Sequence, residues 1–176
     1  MAFVIRSSGP DDGPTLREIE RLAGERFREV GLDHIADAEP PSVETLTAYA
    51  AAGRSWIALD AGDRPVGYVI ADEVDGNAHV EQISVRPDRQ GMGVGRALIN
   101  RVRAWAHQTG RPAITLTTFM LVPWNAPLYA HLGFVPIPED EIGPELRALR
   151  HAETFQGLDP AFRICMRLGL TGPNGS

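Results

Sequence analysis

The chain has 176 residues, 43% hydrophobic and 23% charged, which suffices for one domain with a real core and no help from metal or disulfide. Its net charge of −6 excludes a general nucleic-acid surface, since such a surface needs clustered positive charge to replace phosphate counterions. The single cysteine, Cys165, cannot close an internal disulfide, no apolar run reaches the roughly 18 residues of a membrane span, and MAFVIRSSG carries no secretion-signal pattern, so the expected setting is a reducing cytoplasm without a membrane partner.

Phe3 to Arg6 reads as a first strand, and Ser7-Ser8-Gly9-Pro10 as a turn. From Pro14, apolar residues Leu16, Ile19, Leu22, Ala23, Phe27 and Val30 recur at helical spacing, which predicts one amphipathic helix ended by Gly31. An acid- and proline-rich loop, Asp33 to Pro41, leads to Ser42, whose type and place predict the cap of a second helix running to Ala52 and closed by Gly53. Strands are expected over Ser55 to Leu59 and Val66 to Val74, joined by the turn-rich Asp60 to Pro65. After Asp75-Gly76-Asn77, an alternating strand runs to Val85 and is stopped by Pro87.

A helix follows from Val94 to His107, with Val94, Leu98, Val102, Trp105 and Ala106 on one face. Ala113 to Thr118 is β-rich. A short helix is expected from Pro123 through Tyr129 to Leu132, then a strand from Phe134 to Ile137, a helix from Gly143 to Gln156 and a last strand from Phe162 to Leu168. The whole reads as a single domain over 1–170, with 171–176 as a flexible tail.

Between the strand ending at Val85 and the helix starting at Val94 lies Arg89-Gln90-Gly91-Met92-Gly93-Val94-Gly95-Arg96. Glycines at a helix N-terminus let unpaired N–H groups approach an anion, so this turn reads as a phosphate cradle. Arg86, Arg89 and Arg96 read singly as solvated charges; together they make a positive patch in an acidic chain. The dinucleotide fingerprint fails because Arg96 stands where its third glycine belongs, and the P-loop fails for want of Gly-Lys-Ser/Thr.

What remains, Gln90-Gly91-Met92-Gly93-Val94-Gly95, resembles the Q/R-x-x-G-x-G/A signature of the GNAT superfamily of N-acetyltransferases. Glu81 to Pro87 is similar to that family's central strand, and Leu128-Tyr129-Ala130-His131-Leu132-Gly133-Phe134 to its late tyrosine helix and following strand. The resemblance implies an α/β (α+β) fold, with a mixed central sheet of about six to seven strands flanked by helices and splayed between the fourth and fifth. It also implies acetyl-CoA as cofactor, bound by Gln90, Gly91, Met92, Gly93, Val94, Gly95 and Arg96 at the diphosphate and by Ile83, Ser84 and Val85 along the pantetheine. The implied reaction is direct transfer of acetyl to a primary amine of a small molecule or peptide, with no metal and no nucleic acid; a homodimer is common in the superfamily. A non-catalytic acetyl-CoA sensor of the same fold is the alternative.

An ammonium of pKa about 10.4 must lose a proton before it attacks. Glu81 is the first candidate base and His79, of the same strand parity, the second; a glutamate paired with an arginine across a strand would look the same. Tyr129 is the candidate general acid toward the leaving thiolate, against a tyrosine that simply packs behind Leu132. Where many relatives carry an asparagine seven residues before the tyrosine, this chain has Val122, with Asn125 four before. Asn125 either caps the short helix or bonds the cofactor. Trp124 reads as a wall for the acceptor or as a core anchor. The acceptor cues conflict: Glu29, Asp33, His34, Asp37 and Glu39 suit a cationic amine, whereas Arg147, Arg150 and His151 suit an acidic one.

Overall fold

A computed structural model describes residues 2–170; the expected tail at 171–176 lies outside them. The elements in chain order are β1 (Val4–Ser7), α1 (Gly13–Gly24), α2 (Asp33–Ala36), α3 (Val43–Ala51), β2 (Ser55–Leu59), β3 (Pro65–Val74), β4 (Asn77–Val85), α4 (Val94–Gln108), β5 (Ala113–Phe119), α5 (Ala126–His131), β6 (Val135–Pro136), α6 (Pro144–Thr154) and β7 (Arg163–Gly169). The strands hydrogen-bond in the order β1-β2-β3-β4-β5-β7-β6. The sheet is mixed: β1, β2 and β3 are antiparallel, β4 runs parallel to β5, and β7 is antiparallel to both its neighbours. No described helix is long and apolar enough to cross a membrane.

The residues form two compact units, Met1–Ala71 with Glu81–Arg101, and Asp72–Val80 with Val102–Ser176. In the first, α1 and α3 bury Leu16, Ile19 and Leu46 against Ile57, Tyr68 and Ile70 of the sheet. The opposite side of β3 receives α4 at Gly67, where a Cβ would lie 3.0 Å from Val94 Cγ1 and 3.2 Å from Leu98 Cδ1. Only glycine permits that approach without displacing the helix.

Two expectations need correction here. The helix predicted from Pro14 to Val30 is α-helical only to Gly24, and Glu25–Val30 tightens into a 3-10 segment ended by Gly31 at φ 75°; Gly24 is a weak helix former at the break. The acid-rich loop contains the one-turn α2. Ser42 does cap α3, its side chain accepting from Thr45 N–H at 3.1 Å.

The second unit packs Val74, Ile137, Ile142, Leu146 and Cys165 together, with Leu149 alongside. Its strand expected from Phe134 to Ile137 is the two-residue β6, with Val135 and Pro136 opposite Arg167 and Met166 of β7, and Ile137 N–H adds a bond to Cys165 O at 2.9 Å. The helix expected from Pro123 starts at Ala126. Helix α6 is capped from far away: Asp75 accepts from Glu145 N–H at 2.9 Å and Leu146 N–H at 3.0 Å, while Glu145 accepts from Asp75 N–H. This is a capping box closed between two distant segments. Gly143 is its necessary neighbour, because a Cβ there would run into the Asp75 carboxylate. Asp75 also holds φ 51°, which alanine tolerates less well than aspartate. Asp75→Ala should therefore cost about 2 kcal/mol, roughly a 4–8 °C fall in melting temperature, read by calorimetry. An unchanged melting temperature would show that α6 needs no such cap.

Candidate active site

In the first unit, β4 delivers the chain to the glycine turn through Arg86, whose N–H bonds Val66 O at 2.9 Å, and a 3-10 turn over Pro87–Arg89. Gly91 and Gly93 hold φ 76° and 90°, the left-handed region that side chains avoid. The first bond into α4 is Ala97 N–H to Gly93 O at 3.0 Å, and among the described residues no acceptor meets the N–H groups of Gly91 through Arg96. A Cβ at Gly91, Gly93 or Gly95 would meet nothing within 4 Å. The first turn of α4 has no acidic residue. Open backbone donors at the positive end of a helix dipole form a seat for an anion, and these residues fit a diphosphate.

The side chain of Gln90 is engaged within the protein. Its side-chain amide donates to Val85 O at 3.2 Å and its Oε1 accepts from Arg26, so the side chain braces the turn to β4 and to the segment after α1. Beside this brace opens a cavity of about 570 Å³ lined by Glu25, Arg26, Glu29, Pro87, Gln90 and Gly91. The arginine patch is also smaller than the sequence implies. Arg86 bonds Asp88 at 3.3 Å, Arg89 bonds Asp60 at 3.3 Å, and Arg64 lies 3.4 Å from Asp88. Arg96 is exposed and, among the described residues, has no acidic partner.

Along β4, Ser84 is buried and accepts from Gln82 at 3.0 Å, Ile83 and Val85 are partly exposed, and Glu81 is exposed. Burial and the Glu20 carboxylate push the Tyr68 phenol well up, and Glu81 adds to this from β4. Met92 is exposed and Val94 anchors α4 in the core.

The second unit carries the other candidates. Tyr129 on α5 is buried and meets Phe134 edge-on at 5.8 Å. Burial pushes its phenol well above the ordinary value and nearby Arg163 partly offsets this, so the hydroxyl keeps its proton at neutral pH. Asn125 stands just before α5 but makes no capping bond. Its Oδ1 accepts instead from Thr118 Oγ1 at 2.7 Å, which rules out the capping alternative and fixes which way the amide points. Trp124 beside it is half-buried.

His79 is paired through Nδ1 with Thr115 Oγ1 at 2.9 Å, at one of the two register pairs that join β4 to β5, Ala78↔Ile114 and His79↔Thr115. Burial pushes its imidazole down to about 4 against the pull of Asp72, Glu153 and Asp75, leaving it neutral and a weak base at pH 7. This has a consequence for stability. The unfolded chain takes up a proton below its ordinary pKa of about 6.5 while the folded chain does not, so stability held at pH 7 is lost as pH falls from about 6.5 to about 4, by roughly 3 kcal/mol. Denaturant titrations should show wild type losing that much relative to His79→Gln over this window. Parallel curves would mean that His79 titrates normally.

Sequence reasoning missed two polar arrangements. Arg163 donates to Thr117 Oγ1 at 3.0 Å and Glu153 at 3.1 Å, and lies 4.7 Å over the Phe119 ring. Glu20 of α1 accepts from the Tyr68 hydroxyl. Only the place of Glu20, one turn after Leu16 and next to Ile19 on a buried stripe, gave a signal. The two conflicting acceptor cues turn out to be largely neutralised. Arg28 binds Glu25, Asp33 and Asp37, Arg17 binds Glu39, and Arg147 and Arg150 both bind Glu139 at 3.3 and 2.9 Å.

Residues 16–134 match the family model described as Acetyltransferase (GNAT) family. The structure is similar to a GNAT-family acetyltransferase of Staphylococcus aureus Mu50, with a TM-score of 0.73 at 15% identity over 97% of this chain and 100% of that one. It is also similar to the ribosomal-protein-S18-alanine N-acetyltransferase of Escherichia coli, with a TM-score of 0.65 at 20% identity over 98% of each chain. A Mycobacterium tuberculosis protein solved in complex with CoA gives 0.68 at 19% identity, over 96% of this chain and 99% of that one. At these identities the likeness is one of fold.

Proposed function

The chain belongs to the GNAT acetyltransferase family, and from that premise we propose that it is an acetyl-CoA-dependent N-acetyltransferase, acting as one domain on a primary amine of a small molecule or peptide. The observation that carries the reading is the run of open N–H groups from Gly91 to Arg96, held by two left-handed glycines at the start of α4.

Acetyl-CoA supplies an acetyl group activated as a thioester. The chain's residues do the rest. The N–H groups of Gly91 through Arg96 take the diphosphate, Arg96 adds the one local cation without an acidic partner among the described residues, and Gln90 keeps the turn in shape. The backbone of Ile83, Ser84 and Val85 lines the cofactor's arm, and the amide of Asn125, whose oxygen is committed to Thr118, has its N–H donors left for it. Glu81, exposed on β4, takes the amine's proton. The hydroxyl of Tyr129 stays protonated at neutral pH and donates toward the departing sulfur as negative charge develops on it.

Calorimetry with acetyl-CoA, together with thiol release over a polyamine, lysine, an arylamine and a peptide with a free N-terminus, tests the reading. Binding with transfer to at least one amine is expected. Binding with no transfer to any would make the chain a sensor, and no affinity at millimolar acetyl-CoA would end the reading altogether.

A further inference from the structure

Glu20 lies on α1 beside the buried Leu16 and Ile19, and its carboxylate accepts from the hydroxyl of Tyr68, a fully buried residue of β3. The pair borders the cluster of Leu16, Ile19, Leu46, Ile57 and Ile70, yet Glu20 itself stays partly exposed. The charged and titratable groups around the pair are few. Arg17 faces Glu20 from the same helix and is itself held by Glu39 at 3.0 Å. Glu81 acts on the Tyr68 hydroxyl from β4, and Tyr49 packs on the cluster from α3 with Arg54 5.2 Å over its ring. A carboxylate sunk beside a core, oriented by a tyrosine that can only donate to it and opposed by a single shared arginine, is poorly explained as a solvated helix charge.

We propose that Glu20, aimed by Tyr68, is a second proton acceptor for the incoming amine beside Glu81. This rests on the transferase reading above. In the step, an N–H bond of the substrate ammonium breaks and its proton joins a Glu20 carboxylate oxygen. The electron pair left on nitrogen then attacks the acyl carbon, so charge balances with no further reactant. Burial outweighs the Tyr68 hydrogen bond and the Arg17 charge and pushes the Glu20 carboxyl up to about 7. An ammonium of pKa about 10.4 gives its proton to an ordinary glutamate at about 4.3 with an equilibrium about a million-fold uphill, and to Glu20 only about a few thousand-fold uphill. The buried Glu20 carboxyl therefore adds to Glu81 an acceptor whose basicity lies closer to that of the amine.

The test reads pH dependence in two ways. Carboxyl-13C NMR of the wild-type chain should show one glutamate titrating near 7, absent in Glu20→Gln. In Tyr68→Phe the same step should move to higher pH, because the lost hydrogen bond favoured the ionised form. The acidic limb of kcat/KM, measured by thiol release with whichever panel amine is turned over best, should follow: lost in Glu20→Gln, moved up in Tyr68→Phe, with acetyl-CoA affinity intact in both. Loss of the limb in one variant and its upward move in the other, with cofactor affinity intact in both, are not produced by a merely structural role. A Glu20 carboxyl titrating near 4.3, or an acidic limb identical in Glu20→Gln and wild type, overturns the inference alone. Absence of any transfer by wild type overturns the transferase reading with it. Should Glu20→Gln fail to fold, the wild-type and Tyr68→Phe titrations still decide.

Discussion

Gly93→Val will lower affinity for acetyl-CoA by about 100-fold or more. A Cβ at this position meets no atom of the protein within 4 Å, so the damage is not a clash within the folded chain. It comes from φ 90°, where a β-branched residue is strained by about 1–2 kcal/mol, and from a side chain standing where an anion would approach the backbone. Relaxing the strain turns the N–H groups of Gly93 and its neighbours out of line. The loss of one or two hydrogen bonds to a charged oxygen, at about 1.5–3 kcal/mol each, accounts for the factor. The melting temperature of the unliganded chain should fall by only about 2–8 °C, corresponding to the strain alone. Calorimetric titration with acetyl-CoA checks it, and an affinity equal to wild type in a folded Gly93→Val chain would remove the cradle from the proposal.

Tyr129→Phe will reduce kcat by about 100- to 10,000-fold, the usual worth of a positioned proton donor, with acetyl-CoA affinity changed by no more than about twofold. Phenylalanine keeps the edge contact with Phe134 at 5.8 Å and the burial of α5. Among the described residues the Tyr129 hydroxyl makes no hydrogen bond, so its removal leaves no partner stranded and the melting temperature should hold or rise. The tyrosine's raised pKa comes mainly from burial, so the hydroxyl stays protonated through the neutral range. Steady-state kinetics with thiol detection, paired with calorimetry, separates the two roles open to this residue. Undiminished turnover would make Tyr129 a packing residue.

Much of this molecule was written in short stretches of sequence. The turn from Gly91 to Gly95, the cap at Ser42, the hairpin turn over Asp60 to Pro65 and the strand leading to Val85 were all legible, because turn chemistry, capping and strand propensity act between residues a few positions apart, though β4 buries Ala78, His79 and Val80 in succession rather than in alternation. The family followed from the same local patterns, since the motif is itself a strand, a turn and a helix in succession. Even the break at Gly24 had a local warning. What only the tertiary structure decided was which polar side chains are spent and which are left over. Gln90 is tied to Val85 and Arg26, Asn125 to Thr118, Asp75 to the start of α6, Glu20 to Tyr68 and His79 to Thr115 behind a wall that keeps it neutral. Backbone preference is settled by neighbours in the chain, but the charge and reactivity of a side chain depend on burial and on partners as many as 71 positions away, brought near only when the sheet and its helices assemble.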